Sequence, residues 1–426
     1  MRVSRRTFLG ASATAVIAAG MKSNRGVFGA NDRIQLCCIG IRNQGKFHIE
    51  QFLRENDAEI VALCDVDRHV LEDRAKELEQ KTGNKPKTLV DIRDVMADNE
   101  IDAVSIATPN HWHTLAAIWA CQAGKDVYVE KPLSHSVWEG RQLVTAAEKY
   151  GRIVQHGTQR RSEKIWLRDI ALLHEGIIGD VYAARSLCSR KRNSIGFKDD
   201  CPPPPHIDWG LWQGPAKERI YNPAYVHYNW HWFWEYGNGE IGNQGVHQMD
   251  VAAWGLSKGL PVSIHSVGGR FVWKDQGETP NTQVSTFLYA DGTMLTFEVR
   301  DLASYKEAGQ FHFGNTFFGS QGYYIEGKGF FDANHRKIRV FADAPDTRGP
   351  YGNFLAAVRS RNPEEVHGTA LDGHIASAHC HLANIAYRLG RSIKFDPDTE
   401  TCPGDRKANA MLKRNYRKGF EVPALA

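Results

Sequence analysis

The chain has 426 residues, of which 42% are hydrophobic and 24% are charged, and this length is too great for one ordinary core, so two domains are expected. Its 53 basic and 49 acidic residues give a net charge of +4, and five of the basic residues precede residue 31. Without those five, 48 basic residues stand against 49 acidic ones, which excludes the strongly basic face that nucleic-acid binding requires.

The first thirty residues predict an export signal. Residues 4–9, with the sequence Ser-Arg-Arg-Thr-Phe-Leu, form a twin-arginine motif, and a mildly apolar segment follows from Ala11 to Gly20. That segment is too short to serve as a stable membrane anchor. We therefore expect residues 1–30 to direct the protein to the periplasm or out of the cell, with cleavage between Gly20 and Ala30.

Eight cysteines are scattered along the chain without a Cys-x-x-Cys motif. Cys37, Cys38 and Cys64 fall in predicted buried strands, where they are expected to be small core residues rather than parts of a disulfide framework. The sequence leaves open whether a disulfide forms among Cys188, Cys201 and Cys402.

A strand, a glycine turn and a helix open the first predicted domain. The apolar run Ile34–Ile39 leads into Gly40 and Gly45, with Arg42 where the usual dinucleotide-binding pattern has its middle glycine. The two glycines allow a tight turn, and the N-terminus of the following helix attracts a pyrophosphate. A second strand ends at Asp65, about twenty residues after Gly45, which is the spacing of a carboxylate that binds ribose hydroxyls.

Strands and helices then alternate up to residue 156. Asp67 is a better candidate than Asp65 to cap the next helix. This alternation is typical of a parallel, doubly wound sheet, in which ligands bind outside the carboxyl ends of the strands. Lys131 directly follows such a strand, so its ammonium group is placed where it could polarise or protonate a substrate oxygen. The further strands are predicted at Thr88–Leu89, Ala103–Ile106, Val127–Val129 and Ile153–Gln155.

The second half has the pattern of an antiparallel sheet. Asp291-Gly292, between two apolar runs, is a strong hairpin-turn signal. The predicted fold is therefore α/β, with an N-terminal Rossmann domain at residues 31–156 and a C-terminal α+β domain with an open, largely antiparallel sheet at residues 157–426. Strands are expected at Val181–Leu187, Val262–Val272, Val284–Tyr289, Met294–Val299, Phe311–Phe318 and Tyr323–Glu326, and helices at Glu163–Leu173 and Leu371–Leu389.

A helix that is predicted to begin at Gly239 carries a second group of polar residues. Because they are spaced by four, three and four residues, one face of this helix holds Asn243, His247, Asp250 and Trp254. A histidine beside a carboxylate can act as a general base with an orienting partner. The alternative is a histidine that is hydrogen-bonded within the helix packing.

Together these motifs resemble the Gfo/Idh/MocA family of oxidoreductases, over about residues 34–395. The resemblance rests on the glycine turn, Asp65, residues 108–110 with His113, and the Glu-Lys-Pro sequence at residues 130–132. It implies hydride transfer between NAD(P) and sugars, inositols or related polyols, with Lys131 reaching both the nicotinamide and the reacting hydroxyl across a cis Lys-Pro peptide. The cofactor-binding residues implied in this way are Gly40, Arg42, Asn43, Gln44, Gly45, Asp65, Thr108, Pro109, Asn110, His113, Glu130 and Lys131.

The chain departs from the family pattern at Asn243, where many members carry an aspartate. His247 and Asp250 match the pattern. Since an amide cannot take a proton, Asn243 is expected only to position the substrate, and His247 is expected to act as the base with Asp250 beside it.

The expected cofactor is NAD. The charge of Asp65 would repel the 2′-phosphate of NADP, although Arg42 and Arg68 could weaken this preference. NADP therefore remains possible.

Eight aromatic residues between Tyr221 and Tyr236 precede the Gly239 helix. Aromatic rings stack on the C–H faces of sugars, but most of these rings are expected to pack in the core. One or two, including Trp234, are expected to face the substrate. Arg161, which follows the last strand of the first domain, is expected to position substrate oxygens together with Asp250.

The 18 histidines do not predict a metal site. His227 and His231 are four residues apart, and His374, His379 and His381 cluster, but neither set has two further ligands at a recognisable spacing. No metal is therefore expected.

The expected function is an exported NAD(P)-dependent oxidoreductase that acts on a CH–OH group of a carbohydrate or polyol. Two alternatives remain open: an NAD-dependent enzyme that cleaves glycosides through transient ring oxidation, and a non-catalytic sensor of sugar or NAD. The expected partners are a small-molecule substrate and further copies of the chain, which would assemble through the C-terminal sheet. Neither nucleic acid nor a stable membrane anchor is expected.

Overall fold

The computed structural model describes residues 33–302 and 313–425. The predicted export signal, residues 1–30, lies outside these described residues. Within them, no helix combines the length and the apolar character that a membrane span requires.

The first half folds into a six-stranded parallel sheet with helices between the strands. Its strands are β1 (Ile34–Ile39), β2 (Ala58–Cys64), β3 (Lys87–Leu89), β4 (Ala103–Ile106), β5 (Asp126–Val129) and β6 (Val154–His156). The connecting helices are α1 (Asn43–Phe52), α2 (Arg68–Thr82), α3 (Ile92–Ala97), α4 (Asn110–Gln122) and α5 (Val137–Tyr150). The strand order is β3-β2-β1-β4-β5-β6, which confirms the predicted Rossmann fold. The order reverses between β1 and β4, so a ligand crevice forms at the carboxyl ends of these strands.

The central strands of this sheet are apolar on both faces because helices cover both of them. Every residue of β4 and β5 is buried. The helix that follows β2 begins where Asp67 accepts hydrogen bonds from the backbone N–H groups of His69 and Val70. Asp67 is thus the cap, as predicted, and Asp65 is left for another role.

A helix from the second half of the chain completes one face of the first sheet. This helix, α10 (Gly349–Ser360), packs Tyr351 against Tyr128 of β5 with ring centroids 4.9 Å apart. Phe52 of α1 also contacts Tyr351, at 5.0 Å between ring centroids. The core on this face is therefore built from both halves of the chain.

The second sheet has eight strands in the order β13-β12-β11-β7-β10-β9-β8-β14. They are β7 (Val181–Ser189), β8 (Ser263–Gly269), β9 (Thr282–Leu288), β10 (Met294–Arg300), β11 (Phe313–Gly319), β12 (Gly322–Ile325), β13 (Gly329–Asp332) and β14 (Ile393–Lys394). The β7–β10 pair is parallel and the other neighbouring pairs are antiparallel, as expected of an open, largely antiparallel sheet. The helices of this half are α6 (Lys164–His174), α7 (Trp209–Gln213), α8 (Gly239–Asn243), α9 (Gly245–Leu256), α10, α11 (Ala370–Leu389) and α12 (Arg406–Leu412).

The two faces of the second sheet differ in their surroundings. One face packs against α6, α9 and α11 in a core that includes Phe287, Leu295 and Phe317. The other face carries exposed apolar side chains, because residues alternate between the two faces of a strand. The cross-strand neighbours Val267 and Val284 are among these exposed residues.

Two details of the second half differ from the expectation. The strand predicted over residues 262–272 is shorter, Ser263–Gly269, and the helix predicted from Gly239 is interrupted at Gln244. All eight cysteines lie within the described residues and none is paired, so no disulfide forms among Cys188, Cys201 and Cys402.

Candidate active site

A cavity of about 580 Å³ lies between the first sheet and the second half of the chain. The carboxyl ends of β1, β2, β4 and β5 border it on one side, and α8 and α9 border it on the other. The predicted site residues that line it are Gly40, Arg42, Asn43, Gln44, Asp65, Thr108, Pro109, Asn110, His113, Glu130, Lys131, Asn243 and His247. Motifs from both halves of the sequence therefore meet at one place.

The glycine turn leaves no room for side chains at two of its positions. Gly40 has φ +75°, and a Cβ atom there would lie 2.7 Å from the backbone nitrogen of Thr108. A Cβ atom at Gly45 would lie 1.9 Å from the carbonyl oxygen of Gly40. At the middle position Arg42 points its exposed side chain to the cavity rim, where no glycine is needed. The turn and the N-terminus of α1 thus form a cradle of the kind that binds a pyrophosphate.

Asp65 and Thr108 offer polar atoms beside this cradle. The Asp65 carboxylate accepts hydrogen bonds from the backbone N–H groups of Ile41 (2.9 Å) and Asp67 (3.0 Å). A carboxylate has further lone pairs, so it can also accept hydrogen bonds from ribose hydroxyls. Desolvation raises the pKa of Asp65 to about 6. The Thr108 hydroxyl is buried and has no hydrogen-bond partner within the described residues, so the residues present fit a dinucleotide.

Glu130 lies at the centre of a buried hydrogen-bond network. Its Oε1 accepts from Gln44 Nε2 (2.9 Å), and from Gln159 Nε2 (3.0 Å), and lies 3.0 Å from His48 Nε2. Burial alone would raise the pKa of Glu130, but the hydrogen bond and charge of His48 and the charge of Lys131 bring it well below the usual range. The ionised Glu130 therefore fixes the end of β5 against α1, and its Oε2 accepts from the backbone N–H of Lys131 (3.1 Å).

His113 holds the peptide that follows Lys131. Its Nδ1 lies 2.7 Å from the carbonyl oxygen of Pro132, and its Nε2 lies 2.8 Å from that of Thr108. The Lys131-Pro132 peptide is cis, as the resemblance implied.

The break between α8 and α9 provides a hydrogen-bond acceptor for Lys131. The backbone N–H of His247 bonds to the carbonyl of Gln244 (3.2 Å), instead of to that of Asn243 as in a regular helix. The free carbonyl oxygen of Asn243 accepts from Lys131 Nζ at 2.9 Å, and the Asn243 Oδ1 atom lies 3.4 Å away. Asn243 thus holds the ammonium group of Lys131 as well as lining the cavity.

Lys131 has a hydrogen-bond acceptor in the protein, whereas His247 differs in this respect. Burial lowers the pKa of Lys131. Burial, followed by the charge of Lys131, holds the pKa of His247 well below its usual range, so the imidazole is neutral at neutral pH. Within the described residues the His247 side chain has no hydrogen-bond partner, and it lines the cavity. A neutral imidazole without a partner is free to accept a proton from a ligand.

Asp250, Arg161 and Trp234 do not line the cavity, which corrects the expectation that they position the substrate. The buried Asp250 accepts from Arg161 Nε (2.9 Å) and Thr158 Oγ1 (2.8 Å) instead of orienting His247. Arg161 also pairs with Asp372, so both of its carboxylate partners belong to the protein. Trp234 packs against the Arg388 guanidinium, 4.9 Å from its ring centroid.

The structure adds residues that the sequence did not single out. Arg192 forms two hydrogen bonds with Glu240, which in turn accepts from Asn243 Nδ2 (3.1 Å). Arg190 donates to Gln244 Oε1 at the cavity mouth (2.9 Å). Both arginines follow β7, and strand periodicity could locate them but not the cavity that they reach. The Phe, Tyr and Trp residues that line the cavity are Phe47, Trp112, Trp212, Tyr228 and Trp230.

Comparisons with known proteins agree with this architecture. A model of the Gfo/Idh/MocA oxidoreductase family, with its NAD-binding Rossmann fold, matches residues 34–158. A model of that family's C-terminal alpha/beta domain matches residues 197–422.

Individual relatives match more weakly. A glycosyl hydrolase family 109 protein of Shewanella baltica is 31% identical over 159 residues, which cover 35% of this chain and 34% of the relative. The match thus spans about a third of the length of that curated relative.

Solved structures match over nearly the whole fold. The WlbA dehydrogenase of Bordetella pertussis, in complex with NADH and UDP-GlcNAcA, is 20% identical with a TM-score of 0.65, covering 85% of this chain and 99% of that one. Aldose-aldose oxidoreductase of Caulobacter crescentus, complexed with glycerol, is 16% identical with a TM-score of 0.62, covering 85% and 100%. At these identities the likeness concerns the fold. Because the two family models together match most of the sequence, the chain belongs to the Gfo/Idh/MocA family of NAD-binding oxidoreductases.

Proposed function

We propose that the protein oxidises a CH–OH group of a carbohydrate or polyol with NAD. The observation that carries this proposal is the neutral, unpartnered imidazole of His247 in the same cavity as Lys131 and the dinucleotide cradle. The bound nicotinamide supplies the acceptor for the hydride that leaves the substrate carbon.

The two side chains have complementary tasks on the substrate hydroxyl. His247 accepts the hydroxyl proton, because its imidazole is uncharged and has no competing protein partner. Lys131 donates a hydrogen bond to the same oxygen and stabilises the negative charge that develops there. Asn243 fixes the position of the Lys131 ammonium group through a hydrogen bond. Because this group is already oriented, less free energy is needed to place it during the reaction.

Aromatic and cationic groups at the cavity favour a sugar-like substrate. Tyr228 and Trp230 offer ring faces for C–H groups, and Arg190 offers N–H donors at the mouth. Two proteins of this fold were crystallised with UDP-GlcNAcA or glycerol, which agrees with a polyhydroxylated substrate.

Mass spectrometry of natively purified protein tests the cofactor, and a panel of sugars and polyols followed by absorbance of the reduced nicotinamide tests the reaction. The proposal expects bound NAD(H) and steady formation of NADH with at least one compound. Tight binding of sugars without any conversion would instead favour a sensor.

Glycoside cleavage through transient ring oxidation is the second candidate. It is favoured by the glycosyl hydrolase family 109 names of the curated relatives, over the third of their length that matches. In this cycle the hydride returns to the product, so the enzyme would release a sugar from an aryl glycoside without net formation of NADH. Measuring the liberated phenol and NADH in one reaction separates the two candidates.

Asp65 is proposed to select NAD over NADP. Asp65→Ala is expected to weaken NAD binding by about 1.5–3 kcal/mol, because a hydrogen bond to a charged group is lost. It is also expected to reduce the difference between the affinities for NAD and for NADP. Asp65→Asn keeps one acceptor oxygen for the Ile41 N–H and is the control for damage to the glycine turn. Calorimetric titration with both cofactors measures the effect. Equal affinities in the wild type and Asp65→Ala would assign Asp65 a structural role.

Export through the twin-arginine route is proposed from residues 4–9. Arg5→Lys with Arg6→Lys is expected to leave folded protein in the cytoplasm, since the pathway reads the arginine pair. Fractionation of cells that express wild type and the double variant measures this. Equal export of both proteins would contradict the assignment.

The exposed face of the second sheet is proposed to join copies of the chain. Val267, Val284, Leu288 and Met294 expose apolar side chains on β8, β9 and β10. Val284→Lys with Leu288→Lys is expected to reduce the molar mass in solution to that of one chain, because buried charges oppose association. Size-exclusion chromatography coupled to light scattering measures the molar mass of both proteins. A wild-type protein that is already monomeric would refute the proposal.

A further inference from the structure

Three potential metal ligands meet beside the cofactor cavity, away from Lys131 and His247. Asp67 follows β2, His69 lies in the first turn of α2, and His206 belongs to the loop before α7. One ligand atom of each lies within 4.8 Å of the other two. Imidazole nitrogen and carboxylate oxygen are the ligands that Zn²⁺ and related divalent transition metals use in proteins.

The Asp67 carboxylate is buried and has no guanidinium or ammonium partner within the described residues. Its Oδ1 accepts from the backbone N–H groups of His69 (3.0 Å) and Val70 (3.3 Å). Its Oδ2 faces two imidazoles, with His227 Nε2 at 3.1 Å and His206 Nε2 at 3.9 Å. A buried charge normally has a partner of opposite charge or a metal ion. Here the helix cap satisfies one oxygen and leaves the other directed at the histidines.

The distances are close to those of a tetrahedral site. Metal–ligand bonds of about 2.0–2.1 Å separate ligand atoms by roughly 3.3 Å. Asp67 Oδ2 and His206 Nε2 are 3.9 Å apart, and all three ligand atoms lie within 4.8 Å of one another, so each has to move by little more than an ångström to reach that value. The rings of His69 and His206 stack with centroids 4.1 Å apart, so the two imidazoles are already neighbours.

His227 completes the arrangement as a supporting residue. His227 Nε2 lies 3.1 Å from Asp67 Oδ2, so an Nε2–H group there donates to this oxygen and orients the carboxylate. Hydrogen-bond partners of this kind fix the geometry of metal ligands.

The loop of His206 is joined to the first domain at this point. The backbone N–H of Arg68 donates to the carbonyl of His206 (2.9 Å), and that of Asp208 donates to the carbonyl of Val66 (3.0 Å). A metal ion bound by His206 and by two residues of the first domain would therefore tie the two halves of the chain together at the edge of the cavity.

We propose that Asp67, His69 and His206 bind a divalent transition metal of the zinc type, and that this ion fastens the loop around residue 206 to the first domain. This departs from the sequence-based expectation of no metal, because His206 is far from the other two ligands in the chain and no short motif connects them. The ion has no part in the proposed oxidation, and its fourth position is left for water.

Titration of the tag-free full chain tests the site. The protein is treated with a chelator, dialysed into metal-free buffer and titrated calorimetrically with Zn²⁺, and separately with Co²⁺ while the visible spectrum is recorded. The expected result is one equivalent bound, a tetrahedral Co²⁺ spectrum, and a higher Tm with metal than without it.

Four variants locate the ion. His69→Asn and His206→Asn are each expected to weaken Zn²⁺ binding by more than about 100-fold, and His227→Ala by roughly 10–100-fold, which is typical for loss of an orienting partner. His265→Asn changes an exposed histidine on β8 and is expected to bind like the wild type. All variants should share the wild-type Tm in metal-free buffer, which separates loss of the ligand from damage to the fold.

Failure to bind one equivalent would overturn the proposal. So would Zn²⁺ binding that is unchanged in both His69→Asn and His206→Asn, since the ion would then lie elsewhere. A Tm that does not respond to metal would overturn the fastening role.

Discussion

Lys131→Met and His247→Ala are each expected to lower kcat by roughly 10²–10⁴-fold, while NAD binding stays close to that of the wild type. In the proposed mechanism, Lys131→Met removes the ammonium group that stabilises the developing alkoxide, and His247→Ala removes the group that accepts the proton. NADH formation with an identified substrate measures kcat, and titration with NAD measures binding. Full activity of either variant would refute the mechanism.

Combining the two substitutions shows whether the side chains act on one oxygen. If they do, the double variant is expected to be little slower than the slower single variant, because groups that work as a unit give non-additive losses. Losses that multiply would assign Lys131 and His247 to different steps. His265→Ala removes an exposed histidine on β8 of the second sheet, and is the control for nonspecific effects of removing a histidine.

Asp250→Ala is expected to lower the free energy of unfolding by about 3–5 kcal/mol, because it leaves the buried Arg161 without its main partner. The Thr158 hydroxyl also loses its acceptor. Chemical denaturation measures the loss. The kcat per folded molecule should change far less than in His247→Ala, because the polar partners of Asp250 are Arg161 and Thr158 rather than His247.

Two further variants test whether the loss of stability in Asp250→Ala comes from the unpaired charge of Arg161. Asp250→Asn keeps an acceptor for Thr158 and for Arg161, and is expected to be less destabilising than Asp250→Ala. Asp372→Asn removes the charge of the more exposed partner of Arg161 but keeps an acceptor for the Thr369 N–H at the start of α11, and is expected to cost only about 0–1 kcal/mol, as for a partly exposed ion pair. A collapse of kcat in Asp250→Asn with normal stability would restore the role of orienting His247.

The first sheet was predictable because its central strands are apolar on both faces and are followed by polar or glycine residues. All six strands were expected near their observed positions, and β1 and β4 agree at both ends. Short elements such as β14 (Ile393–Lys394) carry too few residues for any periodicity, so the sequence did not reveal them.

The site was predictable wherever a residue follows a strand of the first sheet. Asp65 and Lys131 are examples, since topology alone places the carboxyl ends of parallel strands together. The helix of His247 was less predictable, because spacing along one face assumes an unbroken helix. The break at Gln244 turns the Asn243 carbonyl towards Lys131, and only the folded structure reveals that acceptor. Similarly, the partner of Asp250 comes from a separate element, so sequence proximity to His247 was misleading.

The position of α10 has a consequence for the order in which the chain can fold. Tyr128 and Phe52 of the first half are covered by Tyr351, more than two hundred residues later in the chain. During synthesis these rings stay without their final cover until α10 has left the ribosome, so the first sheet cannot complete its core while only the first half of the chain has been made. For the same reason, a fragment that stops at residue 156 would expose an apolar face, and a chimera that exchanges only the second half must keep the residues of α10 that match this face.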